Sequence, residues 1–139
     1  MSTLTSARNT LARDGVDFTY PVAASTKIYA GSMVTLSATG FARGGAAGGT
    51  KAAGIAVETV DNSSGADGAV LVKVKRGVFA FNNSAAADLI DLGDVGAVCY
   101  VVDDETVALT DATGTRVAAG KVADVETVGS GTVVWVDFR

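Results

Sequence analysis

Histidine is absent from the 139-residue sequence, cysteine, proline and tryptophan occur once each, and aromatic residues make up 6%. Without histidine there is no His/Cys zinc site, no Ser-His-Asp triad and no Cys-His dyad, and a single cysteine excludes an intramolecular disulfide. No apolar run reaches the ~18 residues of a membrane span, and the first residues lack the charged, apolar and small-residue series of a secretory signal. The protein is therefore expected to be made and used in the cytosol, or in something assembled there, with no membrane partner. Basic charge is also scarce. Eleven Lys and Arg stand against 15 Asp and Glu, a net charge of −4, so nucleic acid is not an expected partner. The balance is uneven: residues 1–30 carry Arg8, Arg13 and Lys27 against Asp14 and Asp17, giving +1, and the remainder gives −5.

What is present is a sentence stated twice. Gly49-Thr50-Lys51-Ala52-Ala53-Gly54 answers to Gly114-Thr115-Arg116-Val117-Ala118-Ala119-Gly120, and the run to Glu58 answers to the run to Glu126. Upstream, Gly31-Ser32-Met33-Val34-Thr35-Leu36 matches Gly96-Ala97-Val98-Cys99-Tyr100-Val101; downstream, Gly68-Ala69-Val70-Leu71-Val72 matches Gly131-Thr132-Val133-Val134-Trp135. Offsets lie between 63 (Gly68 to Gly131) and 68 (Glu58 to Glu126), all in one order. Two copies of one β-rich unit follow, about residues 27–81 and 95–139, each too small to bury its own apolar face and so packed into one shared core. The expected fold is all-β: a small barrel or sandwich of mostly antiparallel strands, with an extended N-terminal arm and at most one short helix. Residues 1–20 are the arm and 21–139 a single β domain.

In the arm, Leu4, Leu11, Val16 and Phe18 recur too irregularly for a helix or strand. Large apolar groups in a polar segment suit one that orders against a neighbour, because fixing its backbone costs about 1–2 kcal/mol per residue. Val70, Val72 and Val74 alternate with Leu71, Lys73 and Lys75, a half-buried strand with a basic outer face. The one place for a helix is 82–94, with Ser84 as cap and Leu89, Ile90 and Leu92 supplying contacts. Gly129-Ser130 suits a type II′ hairpin. Trp135, with Val72 as its counterpart, is expected in the core or in a subunit contact, and Cys99 in the core.

Chemistry-bearing clusters are few. The Gly44-Gly45-Ala46-Ala47-Gly48-Gly49 loop lacks the Gly-Lys-Ser/Thr ending of a phosphate cradle and reads as a flexible surface loop. Asp103, Asp104 and Glu105 are adjacent acids on a tight turn, without the spacing of a cation loop or of a catalytic carboxylate pair, and read as solvated. The sequons at Asn62 and Asn82 read as turns. No catalytic residue, metal ligand or cofactor is expected; an enzyme working with the carboxylates of 103–105 is the catalytic alternative.

Arg8-Asn9-Thr10 to Asp14-Gly15, Tyr20-Pro21-Val22-Ala23-Ala24, Ile28-Tyr29-Ala30-Gly31, Asp61-Asn62-Ser63, Arg76-Gly77-Val78-Phe79, Tyr100-Val101-Val102-Asp103-Asp104 and Ala119-Gly120 carry a resemblance. Through them nearly the whole chain resembles the small β-rich decoration (cement) proteins of tailed-bacteriophage capsids, with the 44–49 loop unmatched. The resemblance implies a virion protein, made in the host cytoplasm, that binds the major capsid protein on the capsid exterior, commonly as a trimer, and stabilises the head. A fibre-associated or receptor-binding β module is the alternative. The candidate capsid or subunit contacts are Arg8, Leu11, Arg13, Phe18, Tyr20 and Tyr29.

Overall fold

Val72 and Val74 are buried while Leu71, Lys73 and Lys75 are exposed, the period-two signature of a strand with one face in a core. The computed structural model describes residues 3, 5–9, 15–45 and 49–139. Its strands are β1 (Asp17–Pro21), β2 (Thr26–Ile28), β3 (Met33–Leu36), β4 (Ala42–Gly44), β5 (Lys51–Ala56), β6 (Val60–Asn62), β7 (Leu71–Lys75), β8 (Val78–Asn82), β9 (Val98–Val101), β10 (Val107–Ala108), β11 (Ala118–Val128) and β12 (Gly131–Asp137). Among the described residues the only helical turns are two 3-10 turns, Ala86–Asp88 and Leu92–Asp94.

Two antiparallel five-stranded sheets run in the orders β1-β7-β5-β3-β4 and β8-β12-β11-β9-β10, and β2 with β6 makes a two-stranded ribbon. The two orders are the same order. Phe18 and Tyr20 face Val74 and Val72 across β1 and β7, as Phe79 and Phe81 face Val136 and Val134 across β8 and β12. Val34 pairs with Gly54 before a bulge leads to Thr35 with Ala52; Cys99 pairs with Gly120 before a bulge leads to Tyr100 with Ala118. Gly31 N–H donates to Ala56 O and Gly96 N–H to Val122 O, both at 2.8 Å. The duplication is thus written into the backbone hydrogen bonds.

Each sheet curls until its edges meet. Val22, just past β1, bridges Ala42 of β4, and Asn82 at the end of β8 bridges Thr106; Ala23 N–H to Ala42 O (2.9 Å) and Asn82 N–H to Glu105 O (2.8 Å) close the two small barrels. Tight curling explains the paired glycines. A Cβ on Gly54, whose φ is +137°, would run into Lys75 O, and one on Gly120 would run into Asp137 O. Only glycine lets the neighbouring strand come that close at a bulge.

The apolar residues form two clusters, not the one shared core expected. Val22, Ile28, Val34, Leu36, Ala42, Ala53, Ala56, Val72 and Val74 fill the first barrel. Phe81, Ile90, Cys99, Val101, Val107, Ala119, Val122, Val134, Val136 and Phe138 fill the second, joined from outside by Met33 with Ala52 and Ile55 of the first unit. The barrels are therefore docked by the outer face of β3 and β5, and the Met33 N–H to Asp104 O bond (2.8 Å) pins that seam.

Several boundaries move accordingly. The copies run from β1 to β7 and from β8 to β12, so Val78–Asn82 opens the second copy instead of ending the first, and a boundary at residue 20 falls inside β1. Asp17-Phe18-Thr19-Tyr20 alternates with period two, and β7 supplies the partner that fixes it as a strand. The downstream match shifts by one residue: Val72 corresponds to Val134, and Trp135 to Lys73, on the outer face. A one-residue slip reverses facing, which leaves Trp135 half-buried outside the core, opposite Ala80 and Asp124. Glu58 lies beyond β5 whereas Glu126 is inside β11, so these two do not correspond. The anticipated helix is replaced by the two 3-10 turns. Ser84 does not cap the first but donates through Oγ to Val107 O (2.9 Å), and Asp91 with Asp94 forms a capping box on the second.

Candidate functional site

Cys99 and Asp103 have structural partners. Cys99 is buried, its Sγ 3.5 Å from Gly120 O, and burial pushes the thiol up to about 11, so it stays protonated at neutral pH. Asp103 Oδ1 accepts from Glu105 N–H at 2.9 Å, and the Asp104 side chain packs beside Gly44. Among the described residues no three His, Cys, Asp or Glu side chains converge to hold a metal ion. Of the glycine loop, Gly45 and Gly49 are buried and residues 46–48 lie outside the described residues.

Of the six expected contact residues, the four described ones are Arg8, Phe18, Tyr20 and Tyr29, and Phe18 and Tyr20 are brought together. Arg8 is exposed, while Leu11 and Arg13 lie outside the described residues. Phe18 and Tyr20 are half-buried and stack with ring centroids 6.3 Å apart. Arg76 lies with its guanidinium 4.6 Å from the Phe18 centroid, donating through Nε to Ala53 O (3.3 Å) and through Nη2 to the Tyr20 hydroxyl (3.4 Å). These three side chains lid the first barrel. Tyr29 is 57% exposed, with Lys27 Nζ 5.0 Å from its ring, at the rim of a depression of about 300 Å³ shared with Ser32, Asp104 and Glu105.

A different surface emerges on the second unit. Leu92 is 65% exposed, Val128 56%, Val95 49%, Leu89 45% and Val98 40%. Leu89, Leu92 and Gly93 form one wall and Val125, Thr127 and Thr132 the other of a groove of about 500 Å³ floored by Ile90. Among the described residues the only charged side chain lining it is Asp91, and the Asp94 carboxylate lies beside it, accepting from Asp91 N–H at 2.9 Å.

The first unit explains why this groove exists. There, buried Ile28 on β2 pairs with Val60 on β6, and the connection after β6 folds over the barrel end. Asn62, 2% exposed, donates through Nδ2 to Val22 O, Ala23 O and Ala66 O at 3.3, 2.9 and 2.9 Å. The second unit keeps the buried isoleucine, Ile90, but β11 runs straight into a two-residue turn and pairs with β12. Ile90 is held by Asn83 instead, which accepts from Ile90 N–H at 3.0 Å and donates to Ile90 O and Thr132 Oγ1, both at 2.8 Å. The strand pairing of the first unit becomes a gap. Beyond it, Asp88 ties the first 3-10 turn to the loop before β11. The Thr110 hydroxyl, and after it Arg116 at 3.2 Å, holds its carboxyl below the usual carboxylate range.

Leu89-Ile90-x-Leu92 was visible in the sequence as an apolar run, but only Ile90 is buried; the short 129–130 connection was also visible as a hairpin, but not that it leaves this run without a cover. Compared with known proteins, the chain matches no family, no curated protein and no solved structure.

Proposed function

We propose that this chain is a structural virion protein that binds the outer surface of a tailed-phage capsid and stabilises the head. The observation that carries the reading is a closed body with exposed apolar side chains on the outer face of each of its two barrels. Leu71 (57% exposed) and Val57 (47%) stand beside Lys73 and Lys75 on the outer face of the first barrel, and the Leu89–Val98 region stands on the second. Small monomers rarely leave such surface bare unless something covers it. One face for the particle and one for a neighbour is what a cement requires, and the lysines would steer the first face onto an acidic capsid surface. The resemblance in the sequence supports the same role, and the major capsid protein is the expected partner.

The test is to add purified protein to heads that lack it and image them. Copies distributed over the head are expected, with Lys73→Glu/Lys75→Glu binding at least tenfold more weakly. Density confined to the tail or fibres would replace this reading with that of a fibre-associated module, and no density would remove both. An arm truncation should stop at Gly15, because cutting to residue 19 strips most of β1 from Val72 and Val74.

A further inference from the structure

We infer that the groove between Leu89–Gly93 and β11 is a receptor for the N-terminal segment of a second copy of this chain. In the first unit the equivalent space holds a strand pairing, β2 against β6; in the second, the walls stand apart around about 500 Å³, within the roughly 300–1,000 Å³ typical of ligand-sized sites. The shape it lacks is one extended stretch of chain. Its chemistry is specific too: leucines on one wall, Val125 with Thr127 and Thr132 on the other, Asp91 and Asp94 at one side, and no basic side chain among the described residues that line it.

The chain contains a segment of matching chemistry. Residues 1–15 carry Leu4 and Leu11 among small polar residues, and Arg8 and Arg13 against Asp14, a net +1. Leucine into the walls and arginine onto Asp91 and Asp94 satisfies both halves of the groove, and Arg–carboxylate pairing fixes the direction of entry. A second copy is the source we assign, because the described part of the segment in the same chain, Thr3 and residues 5–9, is exposed and none of it lines the groove. Each chain then offers one arm and one groove on different surfaces, a heterologous contact that propagates from copy to copy or closes a ring. This inference stands apart from the capsid reading and is tested without particles.

The experiment uses two preparations of the full chain, Leu11→Cys and Leu92→Cys, mixed and oxidised; native Cys99 is buried and stays out of the exchange. Leu92 is 65% exposed, so its replacement leaves the fold intact. A mixed disulfide dimer is expected, formed at least tenfold faster than with Thr113→Cys, an exposed control. Adding Arg8→Glu and Arg13→Glu, or raising salt to about 0.5 M, should slow it severalfold. Cross-linking no faster than the control overturns the inference, as does a rate that ignores both charge reversal and salt. A fast intramolecular bond in a chain carrying both cysteines, with no mixed dimer, also overturns it by showing that the arm seats in its own groove.

Discussion

The two barrels close the same end with different chemistry. Phe18, Tyr20 and Arg76 in the first occupy the positions of Phe79, Phe81 and Phe138 in the second, and the matching bonds, Arg76 N–H to Val16 O (2.7 Å) and Phe138 N–H to Gly77 O (2.9 Å), fix the equivalence. In the second barrel Phe81 meets Phe138 edge-on at 5.7 Å and Phe79 lies 6.3 Å from it, a hydrocarbon lid continuous with the core. In the first, a guanidinium replaces the third ring, so the lid must keep one edge in water and spend hydrogen bonds on Tyr20 and Ala53. One backbone plan therefore tolerates either solution, provided the three groups cover the same opening.

The most damaging test of that comparison is Phe81→Ala. The ring is 5% exposed, and its loss should cost about 3–5 kcal/mol in chemical denaturation, against a clearly smaller loss for Tyr20→Ala; equal losses would mean that the hydrocarbon lid has no deeper role. Next come the glycines. Gly54→Ala and Gly120→Ala each force a methyl onto the neighbouring strand and should each cost about 1–3 kcal/mol or more. A large cost at one and none at the other would break the equivalence of the bulges. Arg76→Met retains much of the stem and removes the cation over Phe18, with an expected cost of about 1 kcal/mol that shrinks in high salt.

The smallest effect is one of pH. Asp88 has a depressed folded-state pKa, so its contribution is fully present above the unfolded carboxylate value near 4 and is lost as pH falls through the folded value. Asp88→Asn should be less stable than the parent at pH 7, with the two acid-unfolding curves converging at the lowest pH. Curves that stay parallel throughout would show that Thr110 and Arg116 do not stabilise the charged form.

The all-β fold and its internal repetition were legible because period-two alternation and recurring glycines are local signals. Strand β1 was not, although Phe18-x-Tyr20 and Phe79-x-Phe81 are the same phrase. Five residues alternate too briefly to declare a strand, and what fixes them is a partner 50 or more residues away in sequence. The register at Trp135 failed for a related reason: apolar residues run through 133–136, so a match displaced by one position scores as well, and only the packing of Gly120 over Val136 distinguishes inside from outside. The groove was illegible because it is a difference between the copies. Residues 89–92 alone do not reveal that the cover present at 61–67 has no counterpart after residue 128.

The seam between the barrels has a consequence in time. All the strands of the first barrel lie between residues 17 and 75, so the first barrel is complete before β8 is synthesised and can fold ahead of the second. Met33, Ala52 and Ile55, however, belong to the core of a barrel whose last strand ends at Asp137. During translation they form a bare apolar face that waits for the second half of the chain. A nascent chain that has emerged from the ribosome as far as the 3-10 turns should hold a folded first barrel that is sticky at β3 and β5, and release of the full chain should bury that face.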